Sequence, residues 1–110
     1  MYAIEERQAK VNDVMVQTFA RKATSRRVEL EVEAGTTGYS GGNCRKAGGR
    51  TYLSIRCHKG DFCFLPIQDG DGNDVGITFA CCGDDGMTAI AKALAFAKQV
   101  IDDQRIEMDG

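Results

Sequence analysis

The sequence predicts an α+β fold: an antiparallel β-sheet of about five to six strands with one long C-terminal helix packed on it. Three observations lead there. Val28, Leu30 and Val32 alternate with Glu29, Glu31 and Glu33, and Val75, Ile77, Phe79 and Cys81 recur at every second position, the period of a strand. Turn formers punctuate these runs at Asn12-Asp13, at Lys59-Gly60 and in DGDGND from Asp69 to Asp74. From Gly86 or Met87 to about Gln104 the chain changes to helix formers with apolar residues at helical spacing. At 110 residues, 1–110 is expected to fold as a single domain with a core of its own.

In chain order, residues 2 to 20 admit two readings. Ile4, Val11, Met15 and Phe19 fall on one helical stripe, but VMVQTFA is rich in strand formers and Asn12-Asp13 suits a tight hairpin. Two strands are expected, with an N-terminal helix as the alternative. RKATSRR, Arg21 to Arg27, reads as a polar connection, and the strand after it should carry a wet, acidic face. Next comes a long loop, GTTGYSGGNCRKAGG. Arg50 to Cys57 and Asp61 to Gln68 then read as a hairpin turning at Lys59-Gly60, with Cys57 opposite Phe62 and Ile55 opposite Phe64. Pro66, which cannot donate to a ladder, marks an edge. DGDGND is read as a hairpin turn rather than a calcium loop, and Val75 to Cys81 as the last strand. Asp84 and Asp85 favour a helix start. Met87, Ile90, Ala91, Leu94, Ala97 and Ile101 form the expected core stripe of that helix. Ala89, Ala93, Phe96 and Val100 form a second stripe, which suggests contact with another subunit or with the N-terminal segment.

The composition, 43% hydrophobic and 27% charged with no apolar run near eighteen residues, excludes a membrane-spanning helix. MYAIEERQAK has no apolar signal core, so a cytoplasmic protein is expected. Five cysteines, an odd number, then suggest reduced thiols, with Cys57, Cys63 and Cys81 acting as small buried hydrophobes. No CxxC spacing supports a zinc site, and His58, the one histidine, has no identifiable orienting group. The expectation is no catalytic residue, no metal and no cofactor. Charge is segregated: residues 21 to 59 hold nine Lys/Arg against three Glu, and residues 60 to 110 hold three against ten Asp/Glu. Such segregation permits a basic face on an acidic protein, with two solvated surfaces of opposite sign as the alternative.

The loop from Gly35 to Gly49 holds six of the thirteen glycines together with Tyr39, Cys44, Arg45 and Lys46. Glycines let backbone N–H groups form concave anion nests, and neighbouring cations add charge-assisted hydrogen bonds. The expected ligand-binding residues are Tyr39, Gly41, Gly42, Arg45, Lys46, Gly48, Gly49 and Arg50, joined by Arg56 and His58 on the adjoining strand. The loop is neither a Walker A sequence nor a dinucleotide fingerprint, so the implied partner is a small anionic, nucleotide-like ligand of unspecified identity.

From Arg50 to Gln104 the order of strands followed by one long helix resembles the PUR repeat and PC4-like single-strand binders. Those proteins use basic and aromatic sheet faces, whereas this stretch offers Tyr52, Phe62 and Phe64. The whole chain, short, glycine-rich and without catalytic motifs, resembles small phage or prophage anti-defence proteins, the Thoeris anti-defence signal sponges and anti-CRISPR inhibitors. The resemblance implies a non-enzymatic homo-oligomer in the host cytoplasm that sequesters a cyclic nucleotide signal. Its alternative implication is a protein or single-stranded nucleic-acid binding module that inhibits a nucleic-acid-processing defence enzyme.

Overall fold

The computed structural model describes residues 4–38 and 49–109. Six antiparallel strands are followed by one long helix: β1 (Glu5–Val11), β2 (Val14–Ser25), β3 (Val28–Thr36), β4 (Thr51–Lys59), β5 (Phe62–Gln68), β6 (Asp74–Cys81) and α1 (Gly83–Asp109). The α+β class and the C-terminal helix are as the sequence predicts. The strands divide between two sheets, a four-stranded one of order β1-β2-β3-β4 and a two-stranded one of β5 and β6.

The N-terminal hairpin forms because Asn12 and Asp13 both adopt positive φ, 47° and 66°, the two-residue turn whose twist matches its flanking strands. Strand β2 is longer than expected. Arg21 to Ser25, part of the segment read as a polar connection, continues the strand and pairs with Val28 to Val32, and the chain reverses at Arg26-Arg27. Its polar side chains are tolerated because β1 pairs only as far as Ala20, which leaves the rest of β2 as an edge.

Helix α1 lies on β2 and β3, where Leu30, Val32, Ala34 and Ala23 meet Ala89, Ala93, Ala97 and Val100. The expected core stripe is therefore only half right: Ala97 is in the core and Ile90 and Ile101 pack against it, joined by Ala89, Ala93 and Val100 of the second stripe. Ala89, Ala93 and Ala97 face the sheet, since small side chains let helix and sheet approach closely, whereas Met87, Ala91 and Leu94 are exposed.

At the C-terminal end of this sheet β2 and β3 part. Their ladder stops at Phe19 opposite Ala34, and the buried side-chain amide of Gln104 enters the gap. Thr36 N donates to Gln104 Oε1 at 2.8 Å, and Gln104 Nε2 donates to Gln17 O at 3.0 Å. Gln17 and Thr36 would be a facing pair if the register continued, so the amide stands in for lost ladder bonds. Gly35 lies at the same point because a Cβ there would sit 2.2 Å from Gln17 O.

The predicted hairpin of β4 with β5 does not form. Strand β4 pairs with β3, placing Ile55 beside Val32 and Cys57 beside Leu30, while β5 pairs with β6 and sets Phe64 opposite Phe79. The crossing is made at Gly60, whose φ is 120° and whose added Cβ would lie 3.0 Å from Val28 Cγ2. A side chain there would oppose both the backbone conformation and the packing. DGDGND closes the β5–β6 hairpin: Asp69 Oδ1 accepts from Asp71 N and Asn73 N, and these bonds hold its carboxyl below the usual range. Phe62 packs at the edge of the core, but from Leu65 to Ala80 every residue is exposed, so the hairpin stands out as an arm. The radius of gyration, 15.5 Å, accordingly exceeds the roughly 13 Å of a compact chain of this size. Cys63, expected inside, lies exposed on the arm.

Candidate functional site

Two polar clusters and one cleft carry the chemistry of the described residues. The first cluster is on the sheet face away from α1, where the acidic face of β3 was expected to be wet. It is covered instead. The sheet curls so that β1 approaches β4, and Arg7 reaches over the glutamates. Its guanidinium pairs with Glu31 at 2.6 Å, with Glu33 at 3.1 Å and with Glu5. Thr18 Oγ1 donates to the second oxygen of Glu33 at 2.6 Å, and His58 Nε2 lies 2.6 Å from Glu31 Oε1. The carboxyl of Glu31 is held below its usual range, first by His58 and then by Arg7. The surrounding carboxylates raise the pKa of Arg7 further. With every oxygen of Glu31 and Glu33 engaged, the cluster clamps β1, β3 and β4 together, and Glu31 is a partner for His58 that the sequence did not reveal.

The second cluster is the neck of the glycine-rich loop. Thr37 N donates to Arg50 O at 3.0 Å and Arg50 N donates to Thr37 Oγ1 at 2.9 Å, which closes the loop at its base. Thr36, Gly38, Gly49 and Thr51 line a small depression there with Ile101 and Arg105 of the helix. Of the sequence-predicted ligand residues, Gly49 and Arg50 sit at this neck. Arg56 and His58 lie toward the other end of β4, six to eight residues and about 20 to 27 Å away at about 3.4 Å per residue. Strand geometry therefore separates two groups that were expected to converge. Tyr39, Gly41, Gly42, Arg45, Lys46 and Gly48 lie outside the described residues.

The cleft lies between α1 and the outer edge of β2. Because β1 ends its pairing at Ala20, Arg21 to Ser25 have no strand on that side, and the flank of the helix forms the opposite wall. Two adjoining cavities share Arg21, Phe96 and Gln99. One, of about 500 Å³, is bordered by Arg21 and Lys92, and by Lys22, whose side chain alternates to the opposite face of the sheet. The other, of about 650 Å³, is mainly apolar, with Ile4, Phe19, Val100 and Ile106 in its wall. The guanidinium of Arg21 lies 5.9 Å from the Phe96 ring centroid, a cation–π arrangement that holds it at the junction. Lys92 Nζ donates to Thr24 O at 2.9 Å, using a carbonyl of the open edge, and Lys22 pairs with Glu29 at 3.3 Å. An apolar chamber opening onto a cationic one suits a ligand with a planar or apolar part and an anionic part. Sequence reasoning placed none of these residues in a ligand site, and read Phe96 and Val100 as a stripe for contact with another subunit or the N-terminal segment. The signal available was the alternation of Arg21 and Ala23 with the helical spacing of Lys92, Phe96 and Gln99.

Among the described residues no group of three or more His, Cys, Asp or Glu could hold a metal ion, and no helix is long and apolar enough to cross a membrane. No protein-family model, no curated protein and no solved structure matches the chain.

Proposed function

We propose that this protein is a non-enzymatic, homo-oligomeric binding protein that sequesters a small phosphate-bearing nucleotide, in the manner of a phage anti-defence signal sponge acting in the host cytoplasm. The observation that carries the ligand class is the two-part cleft: aromatic Phe96 between an apolar cavity and one bordered by Arg21 and Lys92. A base against Phe96 and Phe19 with a phosphate between Arg21 and Lys92 would use both halves. Arg45, Lys46 and Arg50 of the glycine-rich loop are proposed as a second anion contact.

Isothermal titration with a panel of cyclic and linear nucleotides tests this. Arg21→Ala is expected to weaken binding about ten- to a hundredfold, the loss of one charge-assisted contact of about 1.5 to 3 kcal/mol. Arg50→Ala is the parallel test of the loop. No binding to any nucleotide in the panel, or binding indifferent to both substitutions, would remove the reading. A second reading, a module that binds a protein or a single strand and inhibits a nucleic-acid-processing enzyme, is favoured by the projecting arm and its acidic tip. Steep salt dependence with a long strand, against a shallow one with nucleotides, separates the two nucleic-acid cases.

A further inference from the structure

We infer, resting on the ligand reading above, that the nucleotide of the cleft carries guanine and one phosphate group, and that Asp103 selects the base. Lys92, Phe96, Gln99 and Asp103 follow one another along α1 at intervals of four, three and four residues, which puts them on a single flank of the helix, facing β2 across the cleft. At about 1.5 Å per residue this line runs about 16 Å from Lys92 to Asp103, with Phe96 about 6 Å along it. Cation, aromatic ring and carboxylate thus stand in the order in which a nucleotide presents its phosphate, the face of its base and the outer edge of that base. Side-chain reach at both ends takes up the rest of the span.

The cationic end fixes the number of phosphates. Arg21 lies against the Phe96 ring and Lys92 is anchored on Thr24 O, while Lys22 turns to the opposite face of the sheet. Two positive charges balance one phosphate group.

The far end fixes the base. Asp103 borders the mainly apolar chamber beside Val100 and Ile106, and among the described residues it makes no hydrogen bond or ion pair, whereas its neighbour Asp102 is engaged by both Lys98 and Arg105. A carboxylate accepts and cannot donate, so the base edge turned to it must donate. Guanine has two adjacent donors, N1–H and the amino group at C2, which match the two oxygens of one carboxylate in a bidentate, charge-assisted pair. Adenine and cytosine set a ring-nitrogen lone pair beside their one amino group, and uracil flanks its one N–H with two carbonyls. Each of these turns an acceptor toward the negative charge. Gln99, which both donates and accepts, suits any of the bases, so the discrimination falls to Asp103.

Isothermal titration of the full chain with guanosine, adenosine, cytidine, uridine and xanthosine monophosphates, each in its linear and its cyclic form and at one salt concentration, tests this. The guanine compounds are expected to bind about tenfold or more tightly than those of adenine, cytosine and uracil, the discrimination of one bidentate pair. Asp103→Asn, at an exposed position, exchanges one accepting oxygen for a donating amide. It is expected to weaken guanine binding about tenfold and to strengthen xanthine binding, because xanthine carries an accepting carbonyl at C2 where guanine has its amino group. A wild type that binds the bases alike or prefers another one overturns the inference, as does an Asp103→Asn variant whose ratio of guanine to xanthine affinity is unchanged. Binding that Arg21→Ala weakens but that shows no preference among bases removes guanine and leaves the ligand reading standing. No binding to any of these nucleotides removes both.

Discussion

In β3, Leu30 and Val32 are fully buried, while in β6 Val75 and Ile77, residues of the same kind in the same alternation, keep 60% and 52% of their surface exposed. The difference is in what lies opposite. Strand β3 is central in its sheet and has α1 across one face, whereas β6 has only β5 beside it. Alternation in a sequence states which side chains need cover and leaves open which element, or which molecule, supplies it.

The contrast between body and arm can be tested by substitution. Leu30→Ala should be the most damaging change, costing about 2 to 5 kcal/mol in urea unfolding because it empties a filled position between sheet and helix. The matching change in the arm, Ile77→Ala, should cost within about 0.5 kcal/mol in dilute protein. A larger cost that grows with protein concentration would place part of the arm's burial between molecules. Comparable losses at both positions in dilute protein would erase the distinction.

Arg7→Ala comes next, at about 1 to 3 kcal/mol, since Glu33 and Glu31 would keep their partial burial without their cation. The same clamp sets an acid limit. The folded pKa of Glu31 is depressed, so its contribution is complete above the ordinary carboxylate range and is lost as pH falls through the folded value. Urea unfolding should therefore show stability falling below about pH 4, less steeply in Glu31→Gln. The smallest body effect should come from Gln104→Leu. It leaves Thr36 N and Gln17 O without their bridge at a cost of about 1 kcal/mol, partly offset by the added apolar contact.

Much of the body was legible from local chemistry. Asn12-Asp13 announced a turn that positive φ confirms, Val28-Leu30-Val32 announced the buried side of β3, and the long C-terminal helix followed from its helix formers. Pairing partners were not legible. The run Arg50 to Gln68 has the local pattern of a hairpin, but β4 finds more apolar surface beside β3, and Gly60 lets the chain cross rather than turn back. The acidic face of β3 gave the same kind of misreading: three glutamates look solvated until a distant arginine, Arg7, is folded over them. The candidate site was the least legible part. Its cleft exists because β1 stops pairing at Ala20, a property of sheet length rather than of any motif, while the expected residues Arg50 and His58 were separated by the rigid length of one strand.

Gln104 has a consequence for the order in which this molecule can be assembled. The amide that completes the parted ends of β2 and β3 comes from 68 residues after Thr36 and 87 after Gln17. During synthesis the first four strands are complete before that residue is made, so the nascent sheet carries an unzipped seam until the helix arrives. Contacts at such sequence separation form late and slow the overall rate. The seam is thus a vulnerable interval in the life of the chain, closed only when its final helix docks.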